Sequence, residues 1–370
     1  MSHQSTPITG ATLDAPIRYN AHTGRAITGD IWDAAWADDG ATYVLVDDIP
    51  TWDGSLDTNL SIVTFGESVP PDPRAVMVNP MRAYGRGSEL GPDGACWKAD
   101  GLTCLDGVLY LTVSRHWYGH TRPDGLQIAR DASIVASRDH GRTWAPEPPP
   151  GVAPFPRPLF PGPTFATPFF VKYGRDGAPP APAPDEADRY VYAVSNDGYW
   201  DNGNVMHLGR VARADLPHLR LEDWEFCTAL DDGQPRWARG AASLAAPAPI
   251  LRARGRGGQA GVQFIPGLNR YLMAQWSYPD LSGTGDNFLL GHSIWEWYEA
   301  PHPWGPWTLF HRWDWPTDGF YNPSIPASFV SPDGGSLWAL TTGDFRTVSQ
   351  PVDRMMYTLY LIRATLHTGS

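Results

Sequence analysis

Nothing in the 370 residues approaches the run of about 18 apolar residues that a membrane-spanning helix requires. The opening MSHQSTPITGATLDAPIRY has neither the basic start nor the apolar stretch of a secretory signal. As it stands, the sequence predicts a soluble, cytoplasmic protein with no membrane partner, or a secreted one if a leader has been removed. Cysteine is scarce. Cys96, Cys104 and Cys227 are an odd number at spacings that fit no metal motif, so no disulfide framework is expected and the three read as free thiols. Positive charge is short as well: 28 Lys and Arg against 40 Asp and Glu leave a net charge of −12, which argues against a nucleic-acid partner. Only eight of the acids are glutamate and 32 are aspartate. Aspartate favours turns where glutamate favours helices, and no segment sustains a 3.6-residue apolar period.

Turn formers and indoles are plentiful instead. With 38 Gly and 37 Pro between short β-rich runs, the chain reads as many turns rather than as disorder. Its 17 Trp serve repeated packing or stacking against a ligand. A short unit recurs, turn residues followed by an apolar aromatic strand: DDGATYVLV, LDGVLYLTV, ADRYVYAV, GLNRYLMAQ and DGGSLWALT. With Tyr43, Leu109, Tyr190, Tyr271 and Leu337 as markers, the steps are 66, 81, 81 and 66 residues. A strand-like run precedes each unit and another follows it, and a fourth strand opened by Trp144, Trp224 or Trp307 follows in three repeats. Five such repeats predict an all-β, five-bladed β-propeller with four antiparallel strands per blade. A β-sandwich would not explain the equal order within each repeat. The approximate blades are 26–90, 91–160, 161–240, 241–318 and 319–370, in a single domain. The last offers only three strands, so the N-terminal run near ATLDAPIRY is expected to complete it.

SRDHGRTW (137–144) resembles the Asp-box of sialidase-like propellers. Ser137 and Asp139 can bond the turn backbone, Gly141 can take a positive φ, and Trp144 can pack beneath the hairpin. This marks a fold, on the turn opposite the usual substrate face, so Asp139 is not read as catalytic.

In a propeller blade the top face receives the starts of first and third strands and the ends of second strands. That filter selects Asp30, Trp32, Asp33, Asp47 and Asp48 from the first repeat, and Glu89 from the joint after it. The second repeat gives Trp97, Lys98, Asp100, His116, Trp117 and Asp131, and the third Asn196, Asp197, Trp200 and Asp201. Gln263, Trp276, Tyr278, Asp286, Asn287, Tyr321, Asn322 and Asp344 complete the set. The filter removes Glu222, Glu225 and Glu299, and leaves Asp38, Asp39 and Asp106 as turn formers. Clustered carboxylates raise at least one pKa, and glycoside hydrolysis uses such a pair, one acid protonated and one carboxylate as base or nucleophile. The acid candidates are Asp30, Asp33, Asp48, Glu89, Asp131 and Asp197. The candidates for sugar contact are Trp32, Asp47, Lys98, His116, Trp117, Asn196, Trp200, Gln263, Trp276 and Asn322. Bland readings stand beside these: Asp47 and Asp48 as strand-end residues, His116 as a satisfied core histidine. Lys98 is harder to explain by packing, because lysine is rarely buried unpaired. No cofactor is called for, although a calcium could sit in an all-oxygen pocket among these acids.

At GDIWDAAWADDGATYVLVDD, CWKADGLTCLDGVLYLTVSRH, DASIVASRDHGRTW, SNDGYWDNGN and YEAPHPWGPWTLF the sequence resembles a family of propeller proteins whose assigned members are endo-D-arabinanases, over residues 26–365. The resemblance implies a glycoside hydrolase acting on an arabinan-like oligo- or polysaccharide, with Asp30 and the Asp47–Asp48 pair where top-face acids belong. Inverting five-bladed furanosidases usually add a glutamate acid from a later blade, and no later repeat here offers one at the top. The arginine triad of sialidases is also missing. Two other readings use the same residues: a non-catalytic glycan-binding propeller, and a sugar lyase working through Lys98, His116 and a tyrosine.

Overall fold

The computed structural model describes residues 5–19, 28–49, 57–119, 122, 126–279, 292–315, 320–343 and 358–369. Asp286, Asn287 and Asp344 lie outside them. The chain is all-β. It begins with β1 (Ile8–Leu13) and β2 (Ile17–Arg18), then lays down antiparallel groups in chain order. The first group is β3 (Ala34–Trp36), β4 (Thr42–Ile49), β5 (Thr58–Gly66) and β6 (Val76–Asn79). The second is β7 (Cys96–Leu105), β8 (Val108–Trp117) and β9 (Ile128–Ser137). The third comprises β10 (Phe169–Lys172), β11 (Tyr190–Asn196), β12 (Gly203–Ala212), β13 (Trp224–Asp231), β14 (Gln234–Arg239) and β15 (Pro249–Gly257). The fourth is β16 (Val262–Ile265), β17 (Arg270–Ser277), β18 (Ser293–Ala300) and β19 (Thr308–Trp315). The fifth is β20 (Tyr321–Ser324), β21 (Ser336–Gly343) and β22 (Thr358–Thr368), and β1 pairs with β22 as its outer strand. The N-terminal run thus completes the last group.

The expectation of four strands each fails in two groups. Behind Trp144 only isolated bridges to β9 form among the described residues, Ala136 to Ala145 and Ala132 to Phe160. Nine prolines follow between 146 and 163, and proline cannot donate to a ladder, so no regular strand can grow there. The third group is larger than expected. β14 extends it, and β15, in the segment assigned to the next repeat, pairs back onto β12.

First strands lie against one another. β3 contacts β7, β7 contacts β10, and β10 runs parallel to β16 with Lys172 opposite Gln263. Gly101 in β7 permits this approach, since a Cβ there would stand 2.8 Å from Phe169 Cα and 2.9 Å from Pro168 O. The turn at 137–144 is tied by its own side chains. Ser137 Oγ accepts from Gly141 N–H at 2.8 Å, Asp139 accepts from Thr143 N–H at 2.8 Å, and the Trp144 indole donates to Gly141 O at 3.0 Å. Much of the tryptophan is structural: Trp295, Trp297, Trp313 and Trp315 of β18 and β19 pack ring on ring, with centroids 5.0–6.4 Å apart.

Because β1 supplies the outer partner of β22 over Ala364–Thr368, deleting residues 1–13 bares that stretch of its edge. The truncated chain should melt well below the full chain by calorimetry and self-associate in gel filtration. An unchanged melting temperature would show that β1 adds nothing to the fifth group.

Candidate functional site

The site starts from a reversal in the backbone. Asp30 and Asp47 exchange two hydrogen bonds, each N–H donating to the other's carbonyl at 2.9 Å. Ile31 then takes φ 61°, a left-handed conformation that a β-branched residue adopts only under constraint. Asp48 (φ 45°) and Asn322 (φ 46°) are left-handed too. Such strain costs on the order of 1–3 kcal/mol each and gathers at functional sites. The reversal parts Asp30 from Asp33. Asp30 opens into a pocket, whereas Asp33 lies deeper, paired to Lys172 and accepting from Leu102 N–H at 2.7 Å and Ser324 Oγ at 2.9 Å.

The pocket encloses about 440 Å³, counting space open to solvent. Asp30, Asp48 and Lys98 share it with two aromatic walls. On one side the His116 ring meets Tyr118 at 4.6 Å and Trp200 at 4.5 Å, with Gln127 beside them. On the other, Trp276 lies 5.2 Å from both Tyr278 and Tyr321. The chain has two lysines, and both are buried beside aspartates. Lys98 Nζ pairs with Asp48 and stands 5.6 Å from the Tyr118 ring centroid.

Three aspartates therefore surround one ammonium. Burial, then the charge of Asp48, push Asp30 up to about 7 against Lys98 and the Tyr321 hydroxyl, which donates to Asp30 Oδ2. Asp47 accepts from Ala99 N–H at 3.1 Å, yet burial, with Asp30 and Asp48 adding to it, holds it well above the carboxylate range despite Lys98. Burial is the largest influence and opposes the Lys98 charge, but Asp48 and the other acidic groups around it together outweigh it, and Lys98 lies above its ordinary value. Beneath runs a second polar layer. Asp100 accepts from Gln259 Nε2 at 3.1 Å, and Gln259 Oε1 accepts from Asn322 Nδ2 at 3.2 Å. Burial drives Asp100 well above the carboxylate range and draws Lys172 below the ordinary lysine value.

Tyr278 and Tyr321 of the wider top-face set line the pocket. Of the sixteen residues named as candidate acids or sugar contacts, six share it: Asp30, Asp48, Lys98, His116, Trp200 and Trp276. The others do not line it. Asp47 lies behind Asp30, and Asp33 and Asn322 belong to the deeper layer. Trp32 is buried, its indole donating to Thr342 Oγ1 at 2.9 Å. Asn196 is a turn-former: it accepts from Gly198 N–H at 3.0 Å and donates to Gly257 O at 3.0 Å. Gln263 donates to Phe264 O at 2.7 Å, and Trp117 donates to Asp93 O at 3.3 Å. The remaining acids cap local backbone. Glu89 accepts from Arg86 N–H at 2.9 Å, Asp131 from Gly162 N–H at 2.7 Å, and Asp197 from Asn204 N–H at 2.9 Å. Tyr118 and Gln127 escaped selection. Tyr118 stands two residues beyond His116, the spacing that returns a side chain to the same face. Gln127 has no sequence signal, and is placed by Trp200 N–H donating to its carbonyl at 3.1 Å. Among the described residues, two groups bring metal-ligand atoms within 4.8 Å of one another: Asp38, Asp39 and His140, and Asp38, Cys104 and Asp176. Neither touches the pocket. No helix among the described residues is long and apolar enough to cross a membrane.

No protein-family model matches the chain, and neither does any curated protein. Solved structures do. A Bacteroides ovatus protein described as a candidate hydrolase superposes with a TM-score of 0.55 at 15% identity, over 92% of this chain and 87% of that one. A β-xylosidase, RS223, gives 0.48 at 10% identity over 95% and 94%. A GH62 hydrolase in complex with xylotriose gives 0.47 at 12% over 96% and 97%. At such identities the likeness is one of fold.

Lys98 should be indispensable to the cluster. Replacing it by methionine leaves three carboxyls around an apolar group, and breaking a buried pair costs about 3–5 kcal/mol near neutrality. Asp30 and Asp47 have folded pKa values above the unfolded one, so the stability of their protonated forms is complete below about pH 4 and lost as pH rises toward 7 and beyond. Without Lys98 that loss deepens. Urea unfolding of Lys98→Met should show a larger deficit at pH 8 than at pH 5. A deficit equal at both would mean that the ammonium does not balance these acids.

Proposed function

We propose that the chain is a glycoside hydrolase of the five-bladed furanosidase kind, acting on an arabinan-like or related oligo- or polysaccharide. On this reading the five strand groups are blades of one propeller domain, the N-terminal strand completes the fifth, and the pocket opens on the axis. The single observation that carries the reading is the pairing of Asp30 and Asp48 in one aromatic-walled pocket, with unlike surroundings. Asp30, pushed up to about 7 by burial, is the acid that protonates the leaving oxygen. Asp48, ion-paired to Lys98, is the base or nucleophile. The indoles of Trp200 and Trp276 offer faces to the apolar side of a sugar ring, and His116 and Gln127 offer hydrogen bonds to its hydroxyls. The fold shared with the Bacteroides ovatus protein is in keeping with this, as is the sequence resemblance to endo-D-arabinanases.

A specific observation keeps a second reading in view. Among the described residues no glutamate lines the pocket, and Lys98, His116, Tyr118 and Tyr321 converge there. A lyase would use a tyrosine or histidine as base and an ammonium to neutralise a uronic carboxylate, but Lys98 is already engaged by Asp48.

The test is product release from arabinan, arabinogalactan and aryl furanosides. Asp30→Asn and Asp48→Asn should each lower kcat by about 10²–10⁴, the usual contribution of a positioned acid or base. Because Asp30 must hold its proton, kcat/KM should fall as pH rises through about 7. Tyr321→Phe removes a hydroxyl that favours the ionised form, and should move that limb to higher pH. Glycan binding without turnover, indifferent to both aspartate variants, would instead mark a binding module. A product absorbing in the ultraviolet would mark a lyase.

A further inference from the structure

A larger groove lies at the other ends of the strands. It encloses about 990 Å³ counting space open to solvent, between the β10–β11 connection and the turns after β16, β18 and β20. Six prolines form its walls: Pro180, Pro182, Pro184, Pro266, Pro301 and Pro332. Inside stands a built polar pair. The Asp185 side chain is 8% exposed, and one oxygen lies 2.6 Å from His302 Nδ1 while the other accepts from the Tyr271 hydroxyl at 2.8 Å. Tyr271 lies 3.3 Å from the Tyr173 hydroxyl, and the Tyr192 hydroxyl donates to the Asp185 carbonyl at 2.8 Å. Asp185 itself is left-handed, φ 49°. Strain of this kind persists only where surrounding contacts over-determine it, and an observed outlier beside a cavity is a reason to look for a ligand. The His302 ring lies parallel to Trp304, centroids 5.0 Å apart, with 41% of its side chain exposed.

The chemistry of the lining selects the ligand. Proline has no N–H, so the walls offer carbonyl acceptors and few donors. With Nδ1 committed to Asp185, the His302 ring presents Nε2 as a further hydrogen-bonding atom. No lysine or arginine lines the groove, so an anion would find no partner. An ammonium would need a counter-charge, and both Asp185 oxygens are already engaged. What remains is a neutral ligand rich in hydroxyl donors with apolar C–H faces to lie on pyrrolidine rings. We infer that this groove is a second saccharide-binding site, on the face opposite the pocket and independent of any chemistry there.

The experiment is calorimetric titration of the full chain with xylotriose and with arabinotriose. His302→Ala should weaken one binding event about tenfold, or 1.4 kcal/mol, or more. Pro332→Arg, on an exposed turn residue that tolerates exchange, should do the same by filling the groove. Trp276→Ala, in the pocket, should leave that event untouched. Binding of both trisaccharides that neither groove variant alters would overturn the inference, as would His302-dependent binding of spermidine tighter than of either sugar. Loss of hydrolysis in the pocket variants with the groove event intact would bear on the pocket alone.

Discussion

One ammonium among three aspartates is the constraint on which the pocket depends. Lys98 arrives on the first strand of the second group, while Asp30, Asp47 and Asp48 come from the first, so the charges can meet only if the two groups are pressed together. Gly101, three residues along the same strand, is where a side chain would prevent the next group from closing in. Packing and electrostatics are therefore coupled along β7: the strand that delivers the positive charge also has to be thin enough to let its neighbour approach. Opposite charges at this depth are stable only as a set, because any one member left alone would be a charge without solvent.

That set also divides the labour among like residues. Three carboxyls cannot all ionise beside one ammonium, and the structure resolves the conflict by environment rather than by residue type. Asp48 takes the ion pair; Asp47 is shut behind the wall, tied to Ala99 N–H; Asp30 is left with a tyrosine hydroxyl and no cation of its own. An acid that keeps its proton near neutrality and a neighbouring carboxylate are what burial and one lysine produce together.

How far this was legible follows from the kind of signal each residue carries. Strand repeats are written in local alternation and turn residues, so the groups, the closing N-terminal strand and the strand-end positions of Asp30, Asp48, Lys98, His116, Trp200 and Trp276 could be read from spacing. Asp33 could not be told from Asp30, because the left-handed turn at Ile31 that separates them has no signature: an isoleucine is the last residue expected there. Asp131 and Asp197 looked like site acids because strand starts hold both functional carboxylates and those that cap neighbouring N–H groups, and only the fold tells which N–H is near. The missing fourth strand behind Trp144 was visible in the run of prolines, yet the Asp-box-like turn before it drew the eye toward regularity.

Both lysines are buried, and the difference between them is instructive. Lys172 and Asp33 form an isolated pair among neutral neighbours, and there burial wins and draws the lysine pKa down. Lys98 sits among several acids, and there the summed charge wins and lifts it. One residue type under one degree of burial is pushed in opposite directions by the number of carboxylates in reach. Burial with one carboxylate thus makes a strut, and burial with several makes a charged cluster at the pocket. On the proposed function, the second is where a substrate's developing charge would find groups already held in place, without waiting for water to rearrange.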